Sequence, residues 1–184
     1  IFGHALSINK KKYNKYVKKN LRKTNLFKVC SVDDQKNIIS ANKSKKEFKK
    51  LKNFINITYS PTYISEINNK ICSLYKKLPD FVPDLIYLDA PSLYNIKGKI
   101  NNYSFKGYDK VPIAGDILKI EYFLMPGCTI IIDGRLTNAR FLINNLQRNW
   151  TYKEDLKNDR CILKLNEKTI GKYNTRQLKF NNTI

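Results

Sequence analysis

Histidine is almost missing from this chain: His4 is the only one in 184 residues, and the four cysteines stand apart with no Cys-x-x-Cys pair. That excludes a zinc site of the usual ligand spacing and a disulfide framework with it. Scattered free thiols suit a reducing cytosol, so a cytoplasmic location is expected. Cys30, Cys128 and Cys161 fall inside apolar runs, where burial as plain thiols is the expected state. No apolar run reaches the length of a membrane span, no signal peptide is visible and no internal repeat occurs, so no membrane association is expected. Arginine is scarce too. Only six of the 35 basic residues are arginine.

That scarcity bears on the net charge of +20. A chain rich in lysine, asparagine and isoleucine is what an AT-rich genome produces without selection for binding, whereas phosphate-binding surfaces usually recruit arginine for its bidentate fork. Residues 1–80 hold 19 basic against 5 acidic side chains, a net of +14, and residues 81–184 hold 16 against 10, a net of +6. The half with the sharper motifs is the less basic one. A small-molecule substrate is therefore the leading expectation, with nucleic-acid binding or RNA modification as the alternative.

The sharp motifs are two apolar runs that each end on an aspartate and then on turn formers: Pro83-Asp-Leu-Ile-Tyr-Leu-Asp89-Ala-Pro and Pro126-Gly-Cys-Thr-Ile-Ile-Ile-Asp133-Gly134-Arg135. Continuous apolar residues followed by abrupt polarity describe a buried parallel strand. Open α/β sheets bind ligands at the carboxyl ends of such strands, so Asp89 and Asp133 are the first candidates for catalysis.

Other segments fill in the order. Residues 1–8 read as the end of a core-facing helix, and 9–24 as a lysine-rich solvated helix or crossover. Residues 27–32 form a strand running into Asp33-Asp34. Residues 44–54 are a helix with Ser44 as N-cap and Glu47 as its capping-box partner. Residues 55–59 are a strand, 62–80 are ambiguous between helix and strand, and 90–110 are a long loop with Tyr94, Tyr103, Phe105 and Tyr108. Pro112 opens a helix over 113–124, Thr137 caps another through Leu146, and 150–154 with 160–165 form a hairpin. The alternation β-α-β-α-β predicts one α/β domain over 1–184. Its sheet is expected to be mostly parallel with helices on both faces and to end in an antiparallel hairpin.

This order resembles the class I (Rossmann-like) S-adenosylmethionine-dependent methyltransferases over most of the chain. The strand ending at Asp33-Asp34 looks like that family's second strand, 84–89 like the fourth and 129–133 like the fifth. The final hairpin looks like the sixth and seventh. Residues 83–180 are also similar to uncharacterised methyltransferase-like proteins carrying variants of "DLIYLDGP", "DILKIEPFLLPG", "DGRTANARFL" and "LGKYN". The resemblance implies S-adenosylmethionine as cofactor, with Asp33 or Asp34 on the ribose hydroxyls. It also implies Asp89 and Asp133 as catalytic residues, holding magnesium in the manner of catechol-type enzymes or working without it. The family's first strand and glycine-rich loop are missing. The chain starts at Ile1 inside an apolar helical pattern, so it is expected to be a fragment whose missing loop would precede Ile1. Gly134 stands where catechol-type enzymes have asparagine, and Asn138 is the candidate replacement.

Each candidate has a plain structural counterpart. Asp33 or Asp34 can cap a turn. One rim aspartate can cap a helix while Arg135 neutralises the other. Arg135 and Arg140 can hold an anionic substrate group or pair with Asp133 or Asp116. His4 is expected to be structural. The expected function is methyl transfer to a hydroxyl of a small polar metabolite, a sugar among the candidates. The alternatives are the nucleic-acid reading and a non-catalytic remnant of the same sheet.

Overall fold

The computed structural model describes residues 1–23, 26–107 and 109–182. Thr24, the expected end of the lysine-rich segment, and Tyr108 of the aromatic loop lie outside the described residues. The chain is a mixed α/β protein, and it divides into two compact units. The first comprises the described residues of Ile1–Ser60, Lys77–Phe81 and Ile170–Ile184, the second Pro61–Lys76 and Val82–Thr169.

In the first unit, α1 (Phe2–Asn20) runs without a break through both the apolar and the lysine-rich segments. It lies close to the following sheet at Gly3, where a Cβ atom would come within 2.5 Å of the Ile55 side chain. Strand β1 (Val29–Asp33) pairs in parallel with β2 (Ile55–Tyr59). Between them lie two helices: α3 (Lys46–Leu51), inside the range 44–54 where a helix was expected, and α2 (Lys36–Ser44), which was not expected. The Ser44 hydroxyl donates back to the Ala41 carbonyl instead of capping forward, and Lys45 is extended. The capping box therefore never forms. The unit closes with a helix at 171–181 that the sequence pattern did not announce.

In the second unit the ambiguous stretch is an antiparallel hairpin, β3 (Thr62–Ile67) and β4 (Lys70–Tyr75). Its turn residues Asn68 and Asn69 both have positive φ, 52° and 58°, a conformation asparagine tolerates and tight hairpins demand. The long loop is anchored, not open: Phe105 and Ile96 are buried against Ile64 of β3.

The main sheet is built from β5 (Leu85–Leu88), β6 (Thr129–Asp133), β7 (Trp150–Asp155) and β8 (Arg160–Leu165), in the spatial order β5-β6-β8-β7. β5 and β6 are parallel; β6–β8 and β8–β7 are antiparallel. The expectation of one mostly parallel sheet is thus corrected: the described strands form three small sheets, and parallel pairing is confined to β1–β2 and β5–β6.

Among the described residues of this unit, helices pack on one face of this sheet. Helices α4 (Asp116–Ile120) and α5 (Leu136–Ile143) place Ile117, Ala139 and Leu142 in one core with Ile130, Ile132 and Leu163. The other face leaves Leu85, Tyr87 and Ile162 exposed. The alternating burial along β8 shows why: a period-2 pattern serves a sheet covered on one side only. α4 is shorter than the helix expected over 113–124, with Gly115 as its N-cap, and α5 is capped by Arg135 and not Thr137. The remaining helix of the first unit, α6 (Gly171–Asn181), packs on α1 through Phe180, which meets Tyr13 edge-on and Tyr16 face-on.

Candidate active site

Asp133 is the last residue of β6 and Asp89 the first residue beyond β5. The parallel register sets Leu88 against Ile132, so the next positions are Asp89 and Asp133, at the same carboxyl rim of neighbouring strands. Strands in a sheet lie about 4.8 Å apart, which brings the two aspartates together along the backbone.

Three more side chains meet there. The Tyr87 hydroxyl donates a short hydrogen bond to Asp133 Oδ2. This bond, more than burial or the nearby Asp133 and Asp89 charges, pushes the Tyr87 phenol above its usual range, while Arg160 pulls it down. Arg160 lies directly across from Asp133 in the β6–β8 ladder, and its guanidinium donates to Asp155 Oδ2 at 3.3 Å. Arg135 reaches from the far side of the β6 turn, with Nε 3.9 Å from Asp89 Oδ1. The Asp89 side chain is 74% exposed, so this pairing is loose and solvent-screened. Tyr87 and Arg160 were not among the expected site residues. Tyr87 had a signal: two positions before Asp89 in a strand, it shares that residue's face.

The two turns that form the rim are both held in left-handed backbone. Gly134 has φ +65°, and its N–H donates to the Asp159 carbonyl at 2.7 Å. Ala90 has φ +38°, where an L side chain is strained. Ala90→Gly is therefore expected to stabilise the protein by about 0.5–1 kcal/mol, the relief of strain outweighing the extra entropy of glycine in the unfolded chain. A rise in the urea midpoint at unchanged slope is the reading to look for.

Other candidates are placed elsewhere. Asn138 turns inward from α5: it is fully buried, and its Oδ1 accepts the Ala114 N–H at 2.7 Å, tying α5 to the segment before α4. Arg140 pairs with neither Asp133 nor Asp116. It grips Glu154 at 3.0 and 3.2 Å, and the Tyr152 hydroxyl donates to that same carboxylate. In the first unit, Asp33 ends β1 and its Oδ1 accepts the Gln35 N–H at 2.9 Å, a turn-capping bond. A carboxylate has two oxygens, so acceptor capacity remains for ribose hydroxyls. Asp34 follows it, half-buried. His4 is exposed on α1 and takes no core position.

Magnesium does not fit the rim well. Of its carboxylates, Asp133 already accepts the hydrogen bond of the Tyr87 hydroxyl and Asp89 faces the Arg135 guanidinium. No group of three or more His, Cys, Asp or Glu able to hold a metal occurs among the described residues. No described helix is long and apolar enough to cross a membrane. Comparisons with models of protein families, with curated proteins and with solved structures found nothing that matches this chain.

Proposed function

We propose that the chain is an S-adenosylmethionine-dependent methyltransferase acting on a hydroxyl of a small polar molecule, a sugar or a related metabolite. The observation that supports it is the shared carboxyl rim of β5 and β6, with Asp89 and Asp133 at adjacent positions. The pairings add support: the strands likened to the family's fourth and fifth are parallel neighbours, and those likened to the sixth and seventh form the antiparallel hairpin beside them. The Rossmann-like architecture as a whole belongs to this proposal.

S-adenosylmethionine supplies an electrophilic methyl group on sulfonium. At the rim, Tyr87 occupies Asp133 Oδ2 and leaves Oδ1 to accept the proton of the acceptor hydroxyl. Arg135 and Arg160 offset the negative charge that grows on the acceptor oxygen. Orientation does most of the work, because in-line displacement needs the oxygen held close behind the methyl carbon. No step runs through a metal.

The protein, given methyl-labelled S-adenosylmethionine and a panel of sugars and related hydroxyl compounds, is expected to transfer label to one class of acceptor. Asp133→Asn is expected to lower that rate roughly 10²-fold, the lower range for loss of a general base, with the unfolding midpoint unchanged. Transfer undiminished in Asp133→Asn refutes the role of the rim. No transfer to any acceptor favours the non-catalytic remnant.

A further inference from the structure

Charge is divided unevenly between the two units. The unit containing α1 and α6 carries 20 basic against 4 acidic side chains, a net of +16; the other carries 15 against 11, a net of +4. A lysine-rich composition explains abundant lysine in both. It does not explain the depletion of acid in one. Residues 1–32 hold nine basic side chains and no acidic one. Helix α1 alone has six lysines and neither aspartate nor glutamate, and all six are exposed. Lys11, Lys15 and Lys18 follow at helical spacing on one face, with Lys12 and Lys19 beside them, so the helix repels itself until a polyanion neutralises it.

Aromatic rings sit among these lysines. Tyr16 stacks on Phe180 of α6, ring centroids 5.4 Å apart and planes 18° from parallel, yet Tyr16 remains 45% exposed. Tyr13 buttresses the same Phe180 ring edge-on at 5.3 Å. Residues three or four apart are neighbours on a helix, so Lys12 and Lys19 flank Tyr16, and Arg176 flanks Phe180. α6 adds exposed Lys172 and Lys179 and has no acid.

We propose that this α1–α6 face binds single-stranded nucleic acid, with the lysines on successive phosphates and the Tyr16–Phe180 pair as a stacking platform for a base. An unpaired strand fits better than a duplex, since stacking on an aromatic side chain requires an unpaired base. A lipid surface fits less well. A helix lying on lipid offers an apolar face among its lysines, whereas the run from Lys10 to Lys19 encloses tyrosines, and its one aliphatic residue, Val17, is buried. Recognition is through the backbone and independent of sequence. The proposal does not depend on the methyltransferase reading.

The test is fluorescence anisotropy on the full chain with labelled 20-nucleotide oligo(U) and oligo(dT), titrated over a salt series. Both are expected to bind, with a slope of log affinity against log salt of about −4, the value for about six phosphate contacts on a single strand. Replacing Lys11, Lys15, Lys18 and Lys19 by glutamine is expected to flatten the slope by about 3 and to lower affinity at least about tenfold at low salt. Tyr16→Leu, which keeps an apolar contact with Phe180, is expected to weaken binding about fivefold or more at unchanged slope. Circular dichroism confirms that each variant keeps its helices. The proposal is overturned if the glutamine variant keeps the parent's affinity and slope, or if Tyr16→Leu binds as tightly as the parent. Tighter binding to phosphatidylglycerol–phosphatidylcholine vesicles than to either oligonucleotide also overturns it.

Discussion

Glu121→Ala is expected to destabilise the second unit by about 3–5 kcal/mol, the usual cost of removing one partner from a buried charged network. Glu121 is 2% exposed and sits one residue beyond α4. Its Oε1 accepts the backbone N–H of Arg148 at 2.8 Å, that of Gln147 at 3.0 Å and the Trp150 indole N–H at 2.9 Å; Oε2 shares the Gln147 N–H. The Arg148 guanidinium then donates to the carbonyls of Glu121 and Leu124 and clamps Glu167 with its other nitrogens. One carboxylate thus holds the turn into β7 and, through Arg148, the end of β8. Alanine leaves the buried indole N–H and two part-buried backbone N–H groups without their acceptor, the buried one costing about 1–3 kcal/mol and the others less. Trp150 is the only tryptophan in the chain, so its fluorescence in urea reports the event from inside the network. A loss below about 1 kcal/mol would show that the network is replaceable by water.

Asp116 gives the second large effect, read as pH dependence. Burial pushes its carboxyl up from 3.8 to about 6, against the Tyr75 N–H bond and the Lys119 charge, which both pull it down. The native state therefore holds this proton more tightly than the unfolded chain does. Stability from this group is complete below about pH 4 and is lost as pH rises to about 6. The gap corresponds to about 3 kcal/mol. Asp116→Asn keeps an oxygen for the Tyr75 N–H and removes the titration. Its stability is expected to be flat across that window on this account, and higher than the parent's at pH 7 by up to about 3 kcal/mol. Parallel pH profiles for parent and variant would contradict the burial argument.

The aspartate-ended strands were legible because their chemistry is local: an apolar run, an acid, then Gly134 or Ala90-Pro91 to turn the chain. So was the last hairpin, in which Asp155 caps the turn through the Asn158 N–H and Asp159 takes the left-handed position. The 62–75 hairpin was hidden because its turn is Asn68-Asn69, not the more familiar Asn-Gly. α6 was hidden for a different reason. Its buried positions are Asn174 and Gln177, so no apolar period marks it. The parallel-sheet expectation erred by treating apolar runs as buried on both faces, whereas β5 exposes Leu85 and Tyr87. Asn138, the candidate replacement for the asparagine at Gly134, proved to be an internal tie. Arg160 could not be joined to the rim before strand register was known.

A double replacement, Asp89→Cys with Asp133→Cys, tests the shared rim without any substrate. Neighbouring strands are about 4.8 Å apart, inside the range a disulfide spans, and the native Cys72, Cys128 and Cys161 are buried. Mild oxidation followed by peptide mass spectrometry is expected to give one peptide pair joined through positions 89 and 133. If both introduced thiols stay unlinked, or join other cysteines instead, the two strands do not end side by side and the acidic site does not exist.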